Sequence, residues 1–304
     1  MRTPDRQLSF GIKTSPMSTT YESILGVWRE ADSIPEIEHA WLWDHFLPLF
    51  RAPNQPVHEG WTLLAALAGQ TERLRLGLMV TSNAVRPPAV LAKMATTVDV
   101  ISHGRLVLGI GVGGTRQPPG VDNPAVREYA AYGLPLVPPA VGVDRLSEAC
   151  TIIRRMWTEE AFDFDGRHYH LRQVVCEPKP VQRPRPPIMI GGWGERTLRV
   201  VAEHADIWNI PGPPHHSVEQ VGDRARVLDK LCRAIGRDPG AIERSTQIIV
   251  SYDEPARSRS AILQLVDLGV THLVLGLPTP YPAGVARWAA EELIAPVAAR
   301  TSAA

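Results

Sequence analysis

The segments LVLGIGVGG (residues 106–114) and IMIGGWG (residues 188–194) decide the fold of this chain. Each is a short apolar run that ends in a glycine-rich turn, and similar apolar runs alternate with helix-like stretches along the sequence. Eight strand–helix pairs predict an α/β fold, a single-domain (β/α)8 TIM barrel over residues 1–304. A doubly wound open sheet is the competing fold, but such sheets normally stop at about five or six strands.

The alternation of apolar runs and helical periods sets the predicted elements. Strands are expected at 8–12, 40–43, 74–80, within 106–114, and at 188–190, 206–209, 247–250 and 272–276. Helices are expected at about 21–32, 61–70, 89–102, 143–158, 195–203, 217–235, 256–268 and 283–293. Two insertions interrupt the barrel, an irregular proline-rich loop at 117–139 after strand four and a segment at 159–187 before strand five. In the second insertion, residues 162–170 predict a β-hairpin that turns at Asp165-Gly166.

The composition excludes several classes of partner. The chain has 304 residues and a formal net charge of zero, so no basic field draws it to nucleic acid or to an anionic membrane. No apolar run is long enough to span a bilayer, and the first residues lack a signal-peptide core. Cys150, Cys176 and Cys232 lie far apart, which indicates buried thiols in a cytoplasmic protein and no metal site.

The two glycine-rich turns predict one anion-binding site, because all strands of a parallel barrel end on the same face. Backbone N–H groups that precede a helix bind anions, and the second turn leads directly into a helix that contains Thr197. The first turn is equally consistent with a tight bend that needs a positive φ. The predicted cofactor-binding residues are Gly111, Val112 and Gly113 in the first turn and Gly191, Gly192, Trp193 and Gly194 in the second.

Asp44 and His45 follow strand two, at the face where barrel active sites lie. The imidazole of His45 exchanges protons near neutral pH, so His45 is the candidate catalytic residue. Asp44 would orient His45 or bond cofactor hydroxyl groups. The alternative is that Asp44 caps the next segment and His45 fills polar space at the rim. The pair His215-His216 is typical of an exposed loop.

The chain resembles the bacterial luciferase-like family of barrel oxidoreductases, in the branch that uses the deazaflavin coenzyme F420. The matching pieces follow the order of the family over roughly residues 8–210. They are WDHF (43–46), EGWTLLAALA (59–68), TERLRLG (71–77), SHGRL (102–106), EY (128–129), YG (132–133), FDG (164–166), PKPVQ (178–182), IGG (190–192) and ADIWN (205–209).

The resemblance implies a hydride carrier that lies across the barrel mouth beside Asp44 and His45. It also implies a bulge with a non-proline cis peptide after strand three, at Met79-Val80 or its neighbour. In the family this bulge supports the deazaflavin ring. Met79, Val80 and Thr81 are therefore expected cofactor contacts. From the residues alone, this segment is a plain strand end. Relatives are commonly homodimers, so a homodimer is expected.

One departure from the family limits the resemblance. Some sugar-phosphate-oxidising relatives carry a catalytic Glu where this chain has GGT (113–115), so their substrate and proton transfer do not carry over. The resemblance thus implies an F420-dependent oxidoreductase that transfers a hydride between C5 of the deazaflavin and a small organic substrate. The alternatives are a luciferase-like monooxygenase that uses flavin mononucleotide (FMN) and a non-catalytic F420-binding protein.

Overall fold

A computed structural model describes residues 7–49, 54–117 and 123–302. The strands are β1 (Ser9–Lys13), β2 (His39–Leu42), β3 (Arg75–Leu78), β4 (Thr81–Ser82), β5 (Leu108–Gly111), β6 (Ala161–Asp165), β7 (His170–Val175), β8 (Ile188–Gly191), β9 (Ile207–Pro211), β10 (Glu243–Ile249) and β11 (His272–Gly276). The helices are α1 (Tyr21–Asp32), α2 (Gly60–Ala68), α3 (Pro88–Ile101), α4 (Pro124–Ala131), α5 (Pro139–Thr158), α6 (Glu195–His204), α7 (Val218–Ala234), α8 (Pro255–Asp267), α9 (Val285–Ala289) and α10 (Ala295–Ser302).

The main sheet is a closed parallel barrel, which confirms the predicted (β/α)8 fold. Its strands run in the order β3-β2-β1-β11-β10-β9-β8-β5-β4, and every pairing is parallel. A parallel bridge between Leu76 of β3 and Leu106, two residues before β5, closes the ring. The third barrel position is thus shared by β3 and β4, which are separated at Met79-Val80. The peptide bond between these two residues is cis, as the resemblance implied.

Two apolar layers hold the barrel together. In the outer layer the helices press one face against the sheet; α1 buries Ile24, Val27, Trp28 and Ala31, which recur at helical spacing. Each fully buried aliphatic side chain contributes about 1.5–3 kcal/mol through the hydrophobic effect. A smaller cluster fills the barrel interior, and its members are Trp41, Met79, Val107, Met189, Ile207 and Val274. This inner cluster supports the residues at the strand ends from below.

The first insertion differs from the prediction. The stretch 117–139 was expected to be irregular, yet it contains α4. Asn123 starts this helix, since its side chain accepts a hydrogen bond from the Ala125 backbone N–H at 2.9 Å, and a proline at the first helical position fits its fixed φ. Residues 118–122 lie outside the described part of the chain. The proline content hid the helix because proline also marks loops.

The second insertion agrees with the prediction. β6 and β7 pair in antiparallel fashion, and the Gly166 backbone N–H donates to the Tyr169 carbonyl at 3.0 Å to close the turn. The closing helical segment runs through α9, a π-helical turn (Ala290–Ile294) and α10, so it extends beyond the predicted end at 293.

Two further findings concern the described ranges. No helix within them is both long and apolar enough to cross a bilayer. Cys150, Cys176 and Cys232 are free and buried, as the sequence predicted for these thiols.

Candidate functional site

A cavity of about 1120 Å³ opens at the carboxyl ends of the barrel strands. Its size suits a cofactor together with a small substrate, since ligand pockets measure about 300–1,000 Å³. All the residues predicted from the sequence line it, namely Asp44, His45, Met79, Val80, Thr81, Gly111, Val112, Gly113, Gly191, Gly192, Trp193 and Gly194. The barrel brings these residues together because parallel strands deliver every following turn to one face.

Asp44 is buried and lies in a polar cluster at the end of β2. Its two carboxylate oxygens accept hydrogen bonds from Arg86, from Nη1 at 2.6 Å and from Nη2 at 3.1 Å. The Thr81 hydroxyl also donates to Asp44, and the Trp61 indole N–H donates to the Thr81 oxygen at 3.1 Å. The bidentate pair with Arg86 compensates the buried carboxylate. Asp44 therefore ties the end of β2 to β4.

Glu128 contacts and orients His45, which is one of the two roles expected for Asp44. His45 Nδ1 lies 2.8 Å from Glu128 Oε2, and the other Glu128 oxygen accepts from the Phe46 backbone N–H. Glu128 is buried and comes from α4, in the insertion after β5. A carboxylate can only accept, so Nδ1–H of His45 donates to Glu128, and Nε2 is the ring nitrogen left open to the cavity. Sequence adjacency suggested Asp44, but its oxygens are held by Arg86.

Side chains of α4 and β4 occupy the glycine turn after β5. The Gly114 backbone N–H donates to the Tyr129 hydroxyl at 2.8 Å, and this hydroxyl also shares a hydrogen bond with Ser82. Burial raises the pKa of Tyr129, so its hydroxyl stays protonated. Gly113 has a φ of +85°, which confirms that this turn needs a positive φ.

The glycine turn after β8 runs directly into α6. Gly192 has a φ of +150°, and a Cβ placed on it would lie 2.7 Å from Cγ2 of Thr197. The first hydrogen bond of α6 joins the Leu198 N–H to the Gly194 carbonyl at 2.9 Å, and among the described residues no side chain caps this helix. The N–H groups ahead of Leu198 are therefore available to an anion.

Val80 lies between the two glycine turns. A Cβ on Gly111 would lie 2.8 Å from Cγ2 of Val80, and a Cβ on Gly191 would lie 3.0 Å from Cγ1. Glycine at both strand ends thus makes room for the Val80 side chain. The bulge at Met79-Val80 presents an apolar surface to the cavity between the two turns.

Several cavity residues escaped the sequence reasoning. Lys13 ends β1, and Asn209 and Gln247 lie among the last three residues of β9 and β10; all three line the cavity. Their position near the carboxyl ends of strands could have indicated them as cavity residues. Single polar residues within short apolar strands, however, have no distinctive spacing. Glu128 and Tyr129 were visible only as the EY pair of the family pattern.

The pair His215-His216 lies in a loop, as predicted, but both residues line the cavity. The His216 ring meets the Trp193 ring edge-on, with centres 4.8 Å apart, and its Nδ1 lies 2.9 Å from the Pro211 carbonyl oxygen. The His215 N–H bonds to the Gly212 carbonyl and bends the loop over the mouth. Within the described ranges no cluster of three or more His, Cys, Asp or Glu side chains forms a metal site.

The fold is a closed parallel barrel with its cavity at the strand ends, a bulge after β3 and an uncapped helix after β8. These features place the protein among the α/β barrels that bind a ligand at the barrel mouth. The sequence profile of the luciferase-like monooxygenase family matches residues 10–295. The chain belongs to this family.

Two curated relatives illustrate the similarity in sequence. An uncharacterised protein of Mycobacterium tuberculosis is 30% identical over 219 residues, which cover 72% of this chain and 69% of that protein. The phthiodiolone/phenolphthiodiolone dimycocerosates ketoreductase of Mycobacterium bovis is 32% identical over 254 residues, which cover 81% of this chain and 60% of the ketoreductase.

Solved structures show the same fold at low sequence identity. An F420-dependent secondary alcohol dehydrogenase, in complex with an F420-acetone adduct, superposes with a TM-score of 0.80 at 17% identity and covers 96% of this chain and 99% of its own. The coenzyme F420-dependent tetrahydromethanopterin reductase of Methanopyrus kandleri gives 0.76 at 17%, covering 95% and 99%. The monooxygenase RslO1 of Streptomyces bottropensis gives 0.73 at 20%, covering 94% and 98%.

Proposed function

We propose that this chain is an F420-dependent oxidoreductase that transfers a hydride between C5 of the deazaflavin and a carbon of a small organic substrate. The observation that carries the proposal is the shared cavity, which joins an uncapped helix N-terminus to the His45–Glu128 pair across the bulge at Met79-Val80. F420 dependence of the two structural neighbours named above supports the choice of cofactor.

The cavity residues fit the chemistry of this cofactor. F420, when bound, supplies the hydride at C5. The turn 191–194 and the N–H groups of α6 would hold its phosphate, and Met79, Val80 and Thr81 would support the ring. His45 would hold or move a proton at Nε2, because Glu128 engages Nδ1. Asp44 would position Thr81 and thereby the end of the bulge.

The charge at the rim favours the longer anionic tail of F420 over FMN. Arg196 stands in the first turn of α6, and its Nη2 lies 3.4 Å from Asp144 Oδ1. Arg167 approaches the same Asp144 at 3.7 Å. Two guanidinium groups share one carboxylate, so the surface beside the phosphate-binding turn carries a net positive charge. This charge would attract the additional anionic groups of the F420 tail.

Two alternatives have their own support. The family description and the similarity to RslO1 favour a monooxygenase that uses FMN. A non-catalytic F420-binding protein would need no room for a second molecule, and the volume of the cavity argues against it. The proposal also places the protein in the cytoplasm, in keeping with its free thiols, and assembles it as a homodimer.

The deciding experiment is a parallel titration of the purified apoprotein with F420 and with FMN. Binding of F420 at least about tenfold tighter than FMN, a difference of about 1.4 kcal/mol, is the expected result. Preference for FMN would transfer the chain to the monooxygenase alternative. Binding of neither would overturn the proposed function.

If F420 binds, incubation of its reduced form with small ketones, aldehydes and alcohols under exclusion of oxygen separates an enzyme from a binding protein. Turnover that depends on substrate and needs no oxygen is expected. Tight binding without turnover on any substrate class would favour the non-catalytic alternative.

A further inference from the structure

Lys13 lies at the carboxyl end of β1, lines the cavity and has no part in the function proposed above. Its Nζ lies 4.9 Å from the centre of the Trp43 ring. Trp43 meets the His45 ring edge-on, with ring centres 6.4 Å apart. Lys13, Trp43 and His45 therefore form one continuous wall of the cavity.

A chain of hydrogen bonds beneath the cavity holds Lys13 in place. The Lys13 ammonium donates to Oε1 of Gln247, and Nε2 of Gln247 makes a long bond of 3.5 Å to Oδ1 of Asn209. Nδ2 of Asn209 donates to the Ser245 hydroxyl at 2.9 Å, and this hydroxyl lies 2.9 Å from Nδ1 of His272.

Lys13 sets the direction of the first hydrogen bonds in this series. Lys13 can only donate, so Gln247 must present its amide oxygen to Lys13. Burial lowers the pKa of His272 to about 3, so the ring is neutral, and the tautomer of this ring decides which partner donates in its bond to Ser245. From Lys13 to Ser245 each donor points away from Lys13, and bonds aligned in this way polarise one another.

The partners of Lys13 are a neutral amide and an aromatic face. Within the described ranges no carboxylate forms an ion pair with Lys13. Burial lowers the pKa of Lys13 from 10.5 to about 7. At neutral pH the side chain therefore exists both as ammonium and as amine, which is what a residue needs to donate and recover a proton.

The other titratable groups that face the cavity are Asp44, His45, Glu128, Tyr129, His215 and His216. Asp44 is paired with Arg86, and Glu128 is bonded to His45, so neither carboxylate neutralises Lys13. Burial and then the charge of Lys13 lower the pKa of His215. Beneath the cavity, burial also lowers the pKa of His39, which stacks on His272 with ring centres 3.9 Å apart.

We propose that Lys13 is a catalytic proton donor, whose Nζ binds the oxygen of a ketone or aldehyde substrate and protonates it as the carbonyl carbon is reduced. This inference rests on the proposed function. In the reduction the C5–H bond of the reduced deazaflavin would break and its electron pair would form a C–H bond at the carbonyl carbon. The C=O π electrons would move to the oxygen and form an O–H bond with the proton released as a Lys13 N–H bond breaks. The neutral amine then takes a proton from water. In alcohol oxidation, the amine removes the hydroxyl proton.

A carbonyl oxygen fits this position better than a permanent anion. The oxygen gains negative charge only during the reaction, so a group that releases its proton near neutral pH stabilises it when it forms. A carboxylate substrate would instead need a fixed cation, as arginine provides. Gln247 is a positioning residue in this scheme, since it acts through Lys13.

The first test needs no cofactor. Competitive acetylation of the apoprotein between about pH 5 and pH 11, followed by peptide mass spectrometry, measures the pKa of Lys13. Lys230, which is exposed, is the internal reference. Half-maximal reactivity of Lys13 near pH 7 is expected. A midpoint within about one unit of that of Lys230 would overturn the proposal.

The second test compares pH profiles of kcat/KM for reduction of a panel of small ketones and aldehydes by reduced F420. Because reduction uses protonated Lys13, the wild-type rate should fall as pH rises through about 7. Lys13→Arg keeps the charge but does not release its proton in this pH range. We therefore expect kcat to fall about 10²- to 10⁴-fold and the rate to show no further decline as the pH rises through about 7. Lys13→Met should behave alike, and Lys230→Met should match the wild type.

The outcomes separate the two proposals. Failure of the wild type to bind F420 overturns both. Binding with turnover only on non-carbonyl substrates overturns the role of Lys13 alone. A Lys13→Arg variant that keeps the wild-type rate and the fall in rate above about pH 7 also overturns the role of Lys13. If that fall in rate were then lost in His45→Ala, the proton would be assigned to His45.

Discussion

The two glycine-rich turns of the barrel look alike in sequence and differ in what they contact. In the turn 111–114, after β5, the N–H of Gly114 is bonded to Tyr129, and a Cβ on Gly113 would lie 2.7 Å from the Tyr129 hydroxyl oxygen. In the turn 191–194, after β8, the chain enters α6, whose first N–H groups precede the bond from Leu198 to Gly194. Tyr129 from the protein itself contacts the first turn, whereas the second turn leads into a helix whose first N–H groups receive no side-chain cap from the described residues.

This difference shows what a glycine cluster indicates. Glycine allows another group to approach the backbone closely, but the sequence of the turn does not say which group approaches. After β5 the group is a tyrosine from the inserted helix α4, and after β8 we propose a phosphate. The predictions below test this division, beginning with the largest expected effect.

Gly192→Val should lower the affinity for F420 at least about 100-fold, which corresponds to about 2.7 kcal/mol. The new side chain would meet Thr197 and displace the start of α6 from the turn. Isothermal titration calorimetry measures the change. Gly113→Ala should instead act mainly on stability, because its positive φ alone costs about 1–2 kcal/mol and its new Cβ would also meet Ser82 and Tyr129. Differential scanning calorimetry should show a lower Tm, with a smaller loss of affinity.

Gly236→Ala is the control for the backbone effect, because Gly236 also has a positive φ of +73° and no atom within 4 Å of its added Cβ. It should lower the Tm without changing the affinity. If Gly113→Ala weakened F420 binding as much as Gly192→Val, the two turns would have the same role and the comparison would fail.

His45→Ala should reduce kcat about 100-fold in the proposed reaction, and Glu128→Gln about tenfold. Glutamine keeps the size of Glu128 but removes the ionised acceptor that orients the ring. Because the two residues act as one unit, the double variant should be no slower than His45→Ala. Additive losses in steady-state kinetics would show that α4 supports the site in some other way.

Arg196→Ala should weaken F420 about three- to tenfold at low salt and leave the affinity for FMN unchanged. The Arg196 side chain is 61% exposed, so salt should screen its effect. Arg199→Ala is the matched control, since Arg199 lies on the same helix and pairs with Glu195 at 2.8 Å. Equal effects of both variants would remove the special role of the rim beside Arg196.

Tyr129→Phe should destabilise the protein by about 1 kcal/mol, because the Gly114 N–H loses its acceptor. The Tm should fall by a few degrees in differential scanning calorimetry. F420 affinity should change far less than in Gly192→Val. A large loss of affinity with an unchanged Tm would mean that the first turn, too, binds the cofactor.

The sequence predicted the barrel well, because burial of parallel strands on both faces leaves short apolar runs that periodicity reveals. It predicted the residues around the mouth for the same reason, since every strand end points to one face. The inserted helix α4 was missed, because prolines that start a helix also mark a loop. Of the two roles expected for Asp44, orienting His45 belongs instead to Glu128, which lies beside His45 in space and far from it along the chain.

By itself, the amino-acid sequence determined the order of strands and helices, the family and the set of turns that meet at the mouth, because these depend on local periodicity and strand direction. Only the tertiary structure decided which side chains meet there: Glu128 with His45, Tyr129 with the first glycine turn, and Lys13 with Gln247. These contacts join residues far apart in the chain, and their energy depends on distances and burial that no local pattern contains.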